Sequence, residues 1–173
     1  MSAVVRVAIH PSQFPDAVRR DLLDSLRGRA VQHKFHYEGH RQAREWLAVH
    51  EACSPARTRP DVAATYQRAF EQTAEWVGPG PLHVIGLGCG GGAKDCALME
   101  QLEGRTRRYT PVDVSPALVV KAWQTAGRMI PPEHCSPLVC DLANAEDLPS
   151  VIRERAVPGE ARLLTFFGML PNF

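Results

Sequence analysis

The sequence predicts an α/β fold whose parallel sheet is formed by residues 81–173. Short apolar runs alternate there with helix-like segments, which is the pattern of successive βαβ units. The runs are continuously apolar, as expected of strands that are buried on both faces of a parallel sheet. A Gly-Pro-Gly-Pro break precedes them, and residues 1–80 carry helical patterns instead. We therefore expect an N-terminal helical arm over 1–80 and an α/β core over 81–173.

The N-terminal arm is predicted to contain two helices. Over 15–27, apolar residues at helical spacing share one face, and Gly28 is a natural stop; that face consists of Val18, Leu22, Leu23 and Leu26. The second helix, over 58–77, opens with a capping threonine and carries Pro60 in its first turn. Residues 33–57 show no clear period and are predicted to be irregular.

Four strands and three helices are predicted in the α/β core. The strands are placed at 82–85, 109–114, 137–140 and 162–167. The helices between them are placed at 92–103, 115–129 and 144–156. No internal repeat or low-complexity tract interrupts this alternation.

The composition is that of an ordinary globular domain. Hydrophobic residues make up 45% and charged residues 23% of the 173 residues, which excludes an extended disordered chain. With 20 basic against 19 acidic residues, the formal net charge is only +1. Because no basic region is available for a phosphate backbone, we expect no nucleic-acid partner.

The sequence shows no signal for a membrane, export or a metal. No apolar run approaches the roughly 18 residues that span a bilayer, and Arg6 and His10 interrupt the start of the chain. Three histidines between His33 and His40 lack partners at metal-ligand spacing. The five cysteines lack zinc-ligand spacing too, and we expect free thiols in a reducing cytoplasm. We predict a cytoplasmic protein with no membrane contact and no bound metal.

A glycine-rich loop after the first core strand carries the main functional signal. Five glycines fall within Gly86–Gly92, where they allow positive φ and let a ligand approach the backbone. The helix that follows presents free N–H groups. Asp113 ends the next strand, where a carboxylate can accept both hydroxyls of a ribose. Together these features predict a Rossmann-like core that binds an adenosine-containing cofactor; an ordinary tight turn is the alternative.

The sequence of this loop is compatible with two kinds of cofactor. Read from Gly86, the segment fits the GxGxxG pattern of dinucleotide-binding folds. Read from Val84, it fits the methyltransferase pattern aliphatic-aliphatic-acid-Leu-Gly-x-Gly-x-Gly at every position except the acid, where Gly86 stands.

Six segments of the chain together carry a family resemblance over about residues 33–173. They are Lys34-Phe35-His36-Tyr37-Glu38, Pro55-Ala56-Arg57-Thr58, Leu87-Gly88-Cys89-Gly90, Pro111-Val112-Asp113-Val114, Cys140-Asp141-Leu142 and Phe167-Gly168-Met169-Leu170-Pro171-Asn172-Phe173. In this order and at this spacing, they resemble the S-adenosylmethionine-dependent histidine Nα-methyltransferase family of the ergothioneine pathway.

The resemblance implies a class I methyltransferase core with S-adenosyl-L-methionine as cofactor, capped on the substrate side by the arm. It implies cofactor-binding roles for Gly86, Gly88, Gly90, Lys94, Asp113, Asp141, Leu142 and Gly168. Lys94 would lie near the methionine carboxylate, Asp113 would hold the ribose hydroxyls, and Asp141 would accept from the adenine amino group. Asn172 and Tyr37 would hold the amino group of the substrate.

Other interpretations of the same residues remain open. Lys94 can belong to a solvated helix start, and Asp141 can cap a helix. Tyr37 can be a packing aromatic and Asn172 a turn residue. The sequence departs from the family pattern at three places: Cys53 and Ser54 replace a tyrosine pair, Gly86 replaces the loop acid, and a Met-Leu pair stands at 169–170. These departures concern the substrate more than the cofactor.

We predict a methyltransferase that acts on an amino group of a histidine-like amino acid or a related small molecule. Catalysis would depend on positioning, since no strong base stands out. One alternative is a non-catalytic or partner-dependent S-adenosylmethionine-binding fragment, because family members are longer and have seven strands. The other is an NAD-dependent Rossmann oxidoreductase.

The predicted sheet also implies an oligomer. The resemblance places the four core strands in the order 3-2-1-4, which leaves the strand over 162–167 at an edge. An apolar edge strand is prone to pair with another chain, so we expect a homo-oligomer.

Overall fold

The computed structural model describes residues 4–102 and 104–167 and shows an α/β fold with a five-stranded, all-parallel sheet. The strands are β1 (Ala8–Ile9), β2 (Leu82–Leu87), β3 (Thr106–Asp113), β4 (Leu138–Val139) and β5 (Ala161–Thr165). Their order across the sheet is β1-β4-β3-β2-β5. This architecture is compatible with a Rossmann-like fold.

The strand order differs from the predicted one because the sheet has an additional strand. The four core strands lie as β4-β3-β2-β5, and β1 from the N-terminal arm is added beside β4. Ala8 pairs with Leu138, and Ile9 pairs with Val139. The arm is therefore not only helical: a two-residue run before His10 belongs to the sheet, too short for its apolar pattern to be recognised.

Seven helices accompany this sheet in the described part of the chain. They are α1 (Pro15–Gly28), α2 (His40–Cys53), α3 (Pro55–Thr58), α4 (Pro60–Trp76), α5 (Ala93–Gln101), α6 (Pro116–Ala126) and α7 (Leu148–Glu154). The predicted helices α1, α4, α5, α6 and α7 are confirmed, with ends that shift by a few residues.

The core lies on both faces of the sheet because neighbouring residues of β2 point to opposite sides. Val84 joins a cluster with side chains of α5 and α6, including Leu98 and Ala122. Ile85 joins a second cluster on the other face with Leu148 and other residues around α7. Both β2 residues are fully buried, which explains their uninterrupted apolar character.

The prediction that residues 33–57 are irregular is wrong. A short 3-10 helix spans His33–His36, and α2 and α3 follow it. The helical spacing of Ala43, Trp46 and Leu47 was present, but charged and histidine residues surround it. Ala43 is the buried residue of α2, so this helix lies on the surface of the core.

The predicted apolar face of α1 is not the face that is buried. Leu22 and Leu26 are exposed, whereas Asp21 and Ser25 are buried. The physical reason lies in two polar contacts. The Asp21 carboxylate accepts a hydrogen bond from the Lys34 ammonium at 2.5 Å, and Ser25 Oγ accepts one from a backbone N–H at 3.3 Å.

Polar contacts fix the N-terminal segment next to the end of β4. The backbone N–H of Asp141 donates to Ser12 Oγ at 3.0 Å. The ring of buried His10 contacts Asp147 at 2.9 Å. These contacts hold the N-terminal segment against the carboxyl end of the sheet.

Within residues 4–102 and 104–167, no helix is long and apolar enough to cross a membrane.

Candidate functional site

A cavity of about 940 Å³ opens at the carboxyl ends of the parallel strands. The loop after β2, the end of β3 and the segment after β4 form its floor. Side chains of the 3-10 helix His33–His36 and of α2 form the opposite wall. Ligand sites of parallel α/β sheets lie at this edge, because the loops that follow the strands meet there.

The glycine-rich loop between β2 and α5 adopts a backbone that favours glycine. Gly88, Gly90 and Gly92 have φ values of 64°, 52° and 77°. A Cβ at Gly92 would lie 2.9 Å from the Cα of Ala122 in α6, so a side chain there would separate two helices. The loop thus combines left-handed backbone with close packing and leaves its surface open to the cavity.

Asp113 at the end of β3 fixes this loop. Its Oδ2 accepts from the backbone N–H of Gly90, and its Oδ1 accepts from that of Ser115, both at 3.0 Å. The side chain is 6% exposed and lines the cavity. Burial raises the pKa of Asp113 to about 6, although these backbone hydrogen bonds favour the ionised form. The carboxylate therefore lies beside the cavity and can accept a further hydrogen bond from a ligand.

Gly86 lies in β2 where no side chain fits. A Cβ built there would lie 2.1 Å from Oδ2 of Asp95, which is 2% exposed. The Asp95 carboxylate accepts hydrogen bonds from Tyr109 at 2.7 Å and Thr165 at 2.6 Å. It occupies the space that an acidic side chain at position 86 would need. Among the described residues that line the cavity, Asp95 is present and Gly86 is not, so the predicted contact of Gly86 is not seen.

Lys94 lines the cavity at the start of α5. Its ammonium donates to the Tyr66 hydroxyl at 3.0 Å and lies 4.7 Å from the centroid of that ring. The aromatic contact positions the charge at the N-terminal end of a helix, where an anionic group of a ligand is favoured.

Asp141 caps a 3-10 helix and forms an ion pair with Lys34. Its Oδ1 accepts from the backbone N–H of Ala143 at 3.1 Å, which confirms the capping interpretation for the 3-10 helix Leu142–Asn144. Its Oδ2 accepts from Lys34 at 2.8 Å and from Asn144 at 2.9 Å. Burial opposes ionisation, but the hydrogen bonds from Lys34 and Asn144 outweigh it and lower the pKa of Asp141. Asp141 and the neighbouring Leu142 both line the cavity.

Tyr37 belongs to a row of rings on the cavity wall. Its ring centroid lies 5.4 Å from that of His33 and 6.3 Å from that of Trp46, and Trp46 stacks on His50 at 4.9 Å. Burial and the nearby carboxylates of Asp113 and Asp141 raise the pKa of Tyr37 to about 12. Its hydroxyl is therefore neutral at physiological pH, and it shares a hydrogen bond with Nδ1 of His33 at 3.0 Å.

Sequence reasoning missed the contribution of α2 to the site. A Cβ at Gly90 would lie 3.1 Å from the ring of Trp46, and one at Gly91 would lie 3.1 Å from Leu47. The helix thus packs directly over the glycine-rich loop. The spacing of Ala43, Trp46 and Leu47 could have indicated this apolar face.

Two predicted site residues, Gly168 and Asn172, lie outside the described residues. Phe167 immediately before them lines the cavity, and its ring lies 5.6 Å from that of Phe70.

Over the described ranges, no group of three or more His, Cys, Asp or Glu side chains is arranged to hold a metal ion. The thiol of Cys89 lies in the glycine-rich loop, where burial and the carboxylates of Asp113 and Asp95 raise its pKa well above the usual value. Cys89 is thus a neutral thiol, unsuited to act as a nucleophile.

Comparison with known proteins adds no family to these observations. No protein-family model matches the chain, and no curated protein matches it with significant similarity.

Proposed function

We propose that the protein is an S-adenosylmethionine-dependent methyltransferase that acts on an amino group of a histidine-like amino acid or a related small molecule. One observation carries the proposal. The left-handed glycine-rich loop and the Asp113 carboxylate meet at adjacent strand ends and share one cavity. This arrangement suits an adenosine-containing ligand, whose ribose hydroxyls need an acceptor and whose other polar groups need free backbone N–H groups.

The residues around the cavity fit this cofactor. Asp113 would hold the ribose, Asp141 and Leu142 would contact the adenine, and Lys94 would lie toward the carboxylate of the methionine part. All four line the cavity: Asp113 at the end of β3, Asp141 and Leu142 after β4, and Lys94 at the start of α5. When bound, S-adenosylmethionine supplies a methyl group that is already activated by the positive sulfur.

The remaining work of the protein is positioning and exclusion of water. Tyr37, protonated at neutral pH, can accept a hydrogen bond from a substrate amine through its hydroxyl oxygen, which leaves the nitrogen lone pair free to take the methyl group. The ring of Trp46 lies against Gly90 of the loop and stacks on the ring of His50, and both residues line the cavity. The substrate amine must be unprotonated to react, and an apolar, aromatic wall favours the neutral form of an amine.

Calorimetry with S-adenosylmethionine tests the proposal directly. The wild type is expected to bind it, and Asp113→Asn is expected to weaken binding by about 1–3 kcal/mol through loss of charge-assisted hydrogen bonds. Asp147→Asn is the control, because Asp147 follows β4 but lies outside the cavity lining. Absence of binding by the wild type would contradict the proposal.

Two further measurements separate the alternatives. Binding of NADH without binding of S-adenosylmethionine would indicate the oxidoreductase. Labelled S-adenosylmethionine with a panel of amino acids, beginning with L-histidine, tests turnover. Cofactor binding without methyl transfer to any amine would indicate a non-catalytic or partner-dependent binding protein.

A further inference from the structure

Lys34 and Asp141 form a buried ion pair at one end of the cavity. Lys34 lies in the 3-10 helix His33–His36, and Asp141 follows β4, so the pair joins the arm to the sheet. Both residues are 6% exposed and both line the cavity. The Lys34 ammonium donates to Asp141 at 2.8 Å and to Asp21, itself 6% exposed, at 2.5 Å.

The pair retains one unused donor and one unused acceptor. An ammonium has three N–H donors, and within the described residues two of those of Lys34 are used. A carboxylate has about four acceptor sites, and the contacts from Lys34, Asn144 and Ala143 fill three of those of Asp141. The free donor is on Lys34 Nζ, and the free acceptor site is on Asp141 Oδ1, because Oδ2 already accepts from Lys34 and Asn144. Since Lys34 contacts the same carboxylate at 2.8 Å, one flat ligand edge can reach both.

We infer that Lys34 and Asp141 together read the edge of an adenine, with Lys34 donating to ring nitrogen N1 and Asp141 accepting from the adjacent amino group. This inference rests on the proposed function and adds Lys34 as a residue that determines specificity for the base. Adenine presents an acceptor beside a donor along this edge, which complements the donor and acceptor left on the pair.

The same pair rejects a base with the opposite pattern. Hypoxanthine carries a carbonyl oxygen in place of the amino group and an N–H in place of the bare ring nitrogen. Its carbonyl would face the Asp141 carboxylate and its N–H would face the Lys34 ammonium. Two buried charged groups would then lose hydrogen-bonding partners, which is costly.

Nucleoside binding to the unaltered protein provides the first test. We expect adenosine to bind about 10- to 100-fold more tightly than 1-deazaadenosine, which lacks N1, and than inosine. 7-Deazaadenosine keeps the edge intact and is expected to bind like adenosine. Equal affinities for adenosine and 1-deazaadenosine would overturn the role of Lys34. No binding of adenosine at all would overturn the proposed function along with it.

A variant protein shows whether Lys34 is the donor. Lys34→Met alone leaves two buried carboxylates without a cation, so Lys34→Met is combined with Asp21→Asn. In this variant we expect adenosine to bind as weakly as 1-deazaadenosine does, so that the ratio of the two affinities falls to about one. Lys121→Met is the control, since Lys121 lines the cavity from α6 and should leave the ratio unchanged. A ratio that persists in the Lys34 variant would overturn the inference while leaving the proposed function intact.

Discussion

The raised pKa of Asp113 makes the stability of the fold, and the proposed ligand binding, depend on pH. Because that pKa, about 6 in the folded protein, exceeds the ordinary value of 3.8, the folded state binds the proton more tightly than the unfolded chain. Asp113 therefore stabilises the fold most below pH 3.8, and this contribution is lost as the pH rises through 6. In the proposed complex, ligand binding follows the opposite trend, because ribose hydroxyls would donate to the ionised carboxylate.

We predict that the affinity for S-adenosylmethionine is about tenfold weaker at pH 5 than at pH 7.5, since about one tenth of Asp113 is ionised at the lower pH. Calorimetry at the two pH values measures this. Asp113→Asn is expected to bind weakly at both, with no such change. A wild-type affinity that stays constant across this range would contradict the assignment of Asp113 to the ribose.

The contact between Gly86 and Asp95 predicts a strong pairwise coupling. Gly86→Ala places a Cβ against the Asp95 carboxylate, and we expect a loss of about 1–3 kcal/mol in the free energy of unfolding. In an Asp95→Ala background the same substitution is expected to cost much less. Denaturant unfolding of the four proteins in this cycle measures the coupling. Gly28→Ala is the control, because a Cβ there meets no atom within 4 Å. If the changes in the free energy of unfolding at positions 86 and 95 simply add, the described contact between Gly86 and Asp95 is contradicted.

At the scale of the element, α2 closes the cavity without contributing much to the core. Trp46 and Leu47 lie over the glycine-rich loop, while most other α2 side chains are exposed. Substitutions that disrupt α2 should therefore weaken ligand binding more than they destabilise the sheet.

We predict that Ala48→Pro, at an exposed position in the middle of α2, weakens S-adenosylmethionine binding by tenfold or more. Proline removes one helical hydrogen bond and costs about 3 kcal/mol within a helix. Ala48→Gly keeps the N–H and costs about 1 kcal/mol, so it serves as the matched control. Titration calorimetry and thermal melting compare the two. Unchanged binding by the proline variant would show that α2 is not needed to hold the ligand.

Hydrophobic pattern and turn chemistry were sufficient to predict most elements of the α/β core. The continuous apolar strands and the Gly-Pro-Gly-Pro break placed four strands and the helices between them. The same pattern failed for α2, whose few apolar residues contact a loop rather than the core, and for β1, which is two residues long. For α1 the hydrophobic pattern predicted the helix but not its buried face, because the buried Asp21 carboxylate accepts a hydrogen bond from Lys34.

The candidate site was predictable only where it follows from local sequence. The glycine-rich loop and Asp113 lie at consecutive strand ends, so parallel topology brings them together. Contacts between distant segments were not predictable. Lys34 lies 107 positions from Asp141, and nothing in either segment reveals the pairing. The position of the Asp95 carboxylate beside Gly86 likewise depends on how α5 packs on β2.

At the scale of the whole molecule, β5 forms an edge of the sheet among the described residues. Leu164 in this strand is 53% exposed, and an exposed edge favours pairing with a second copy. We predict a homo-oligomer that Leu164→Glu converts to a monomer, measured as mass by light scattering. Val157→Glu, at another exposed apolar side chain before β5, is expected to leave the mass unchanged. A monomeric wild type would contradict association through this edge.

Acid sensitivity of the fold is predicted from His83, which is 1% exposed in β2. Burial and three nearby arginines lower its pKa to about 4 from 6.5, so its contribution to stability is full above pH 6.5 and falls as the pH drops toward 4. His83→Gln cannot take up the proton. Between pH 7 and pH 4.5 its free energy of unfolding should therefore fall by roughly 2–3 kcal/mol less than that of the wild type. Denaturant unfolding at both values measures this. His134→Gln, at an exposed position, is the control and should show the same pH dependence of unfolding as the wild type. If His83→Gln also shows the wild-type pH dependence, His83 does not cause the acid sensitivity.

The pairing of β1 with β4 sets an order of events during synthesis. Ala8 leaves the ribosome early, but its partner Leu138 follows 130 residues later. At 5–20 residues per second the first strand waits roughly 6–26 s for the strand it joins. Closing so long a loop then costs about 4 kcal/mol of chain entropy. Ser12, which receives the N–H of Asp141, is thus made well before the segment that holds it in place beside the cavity.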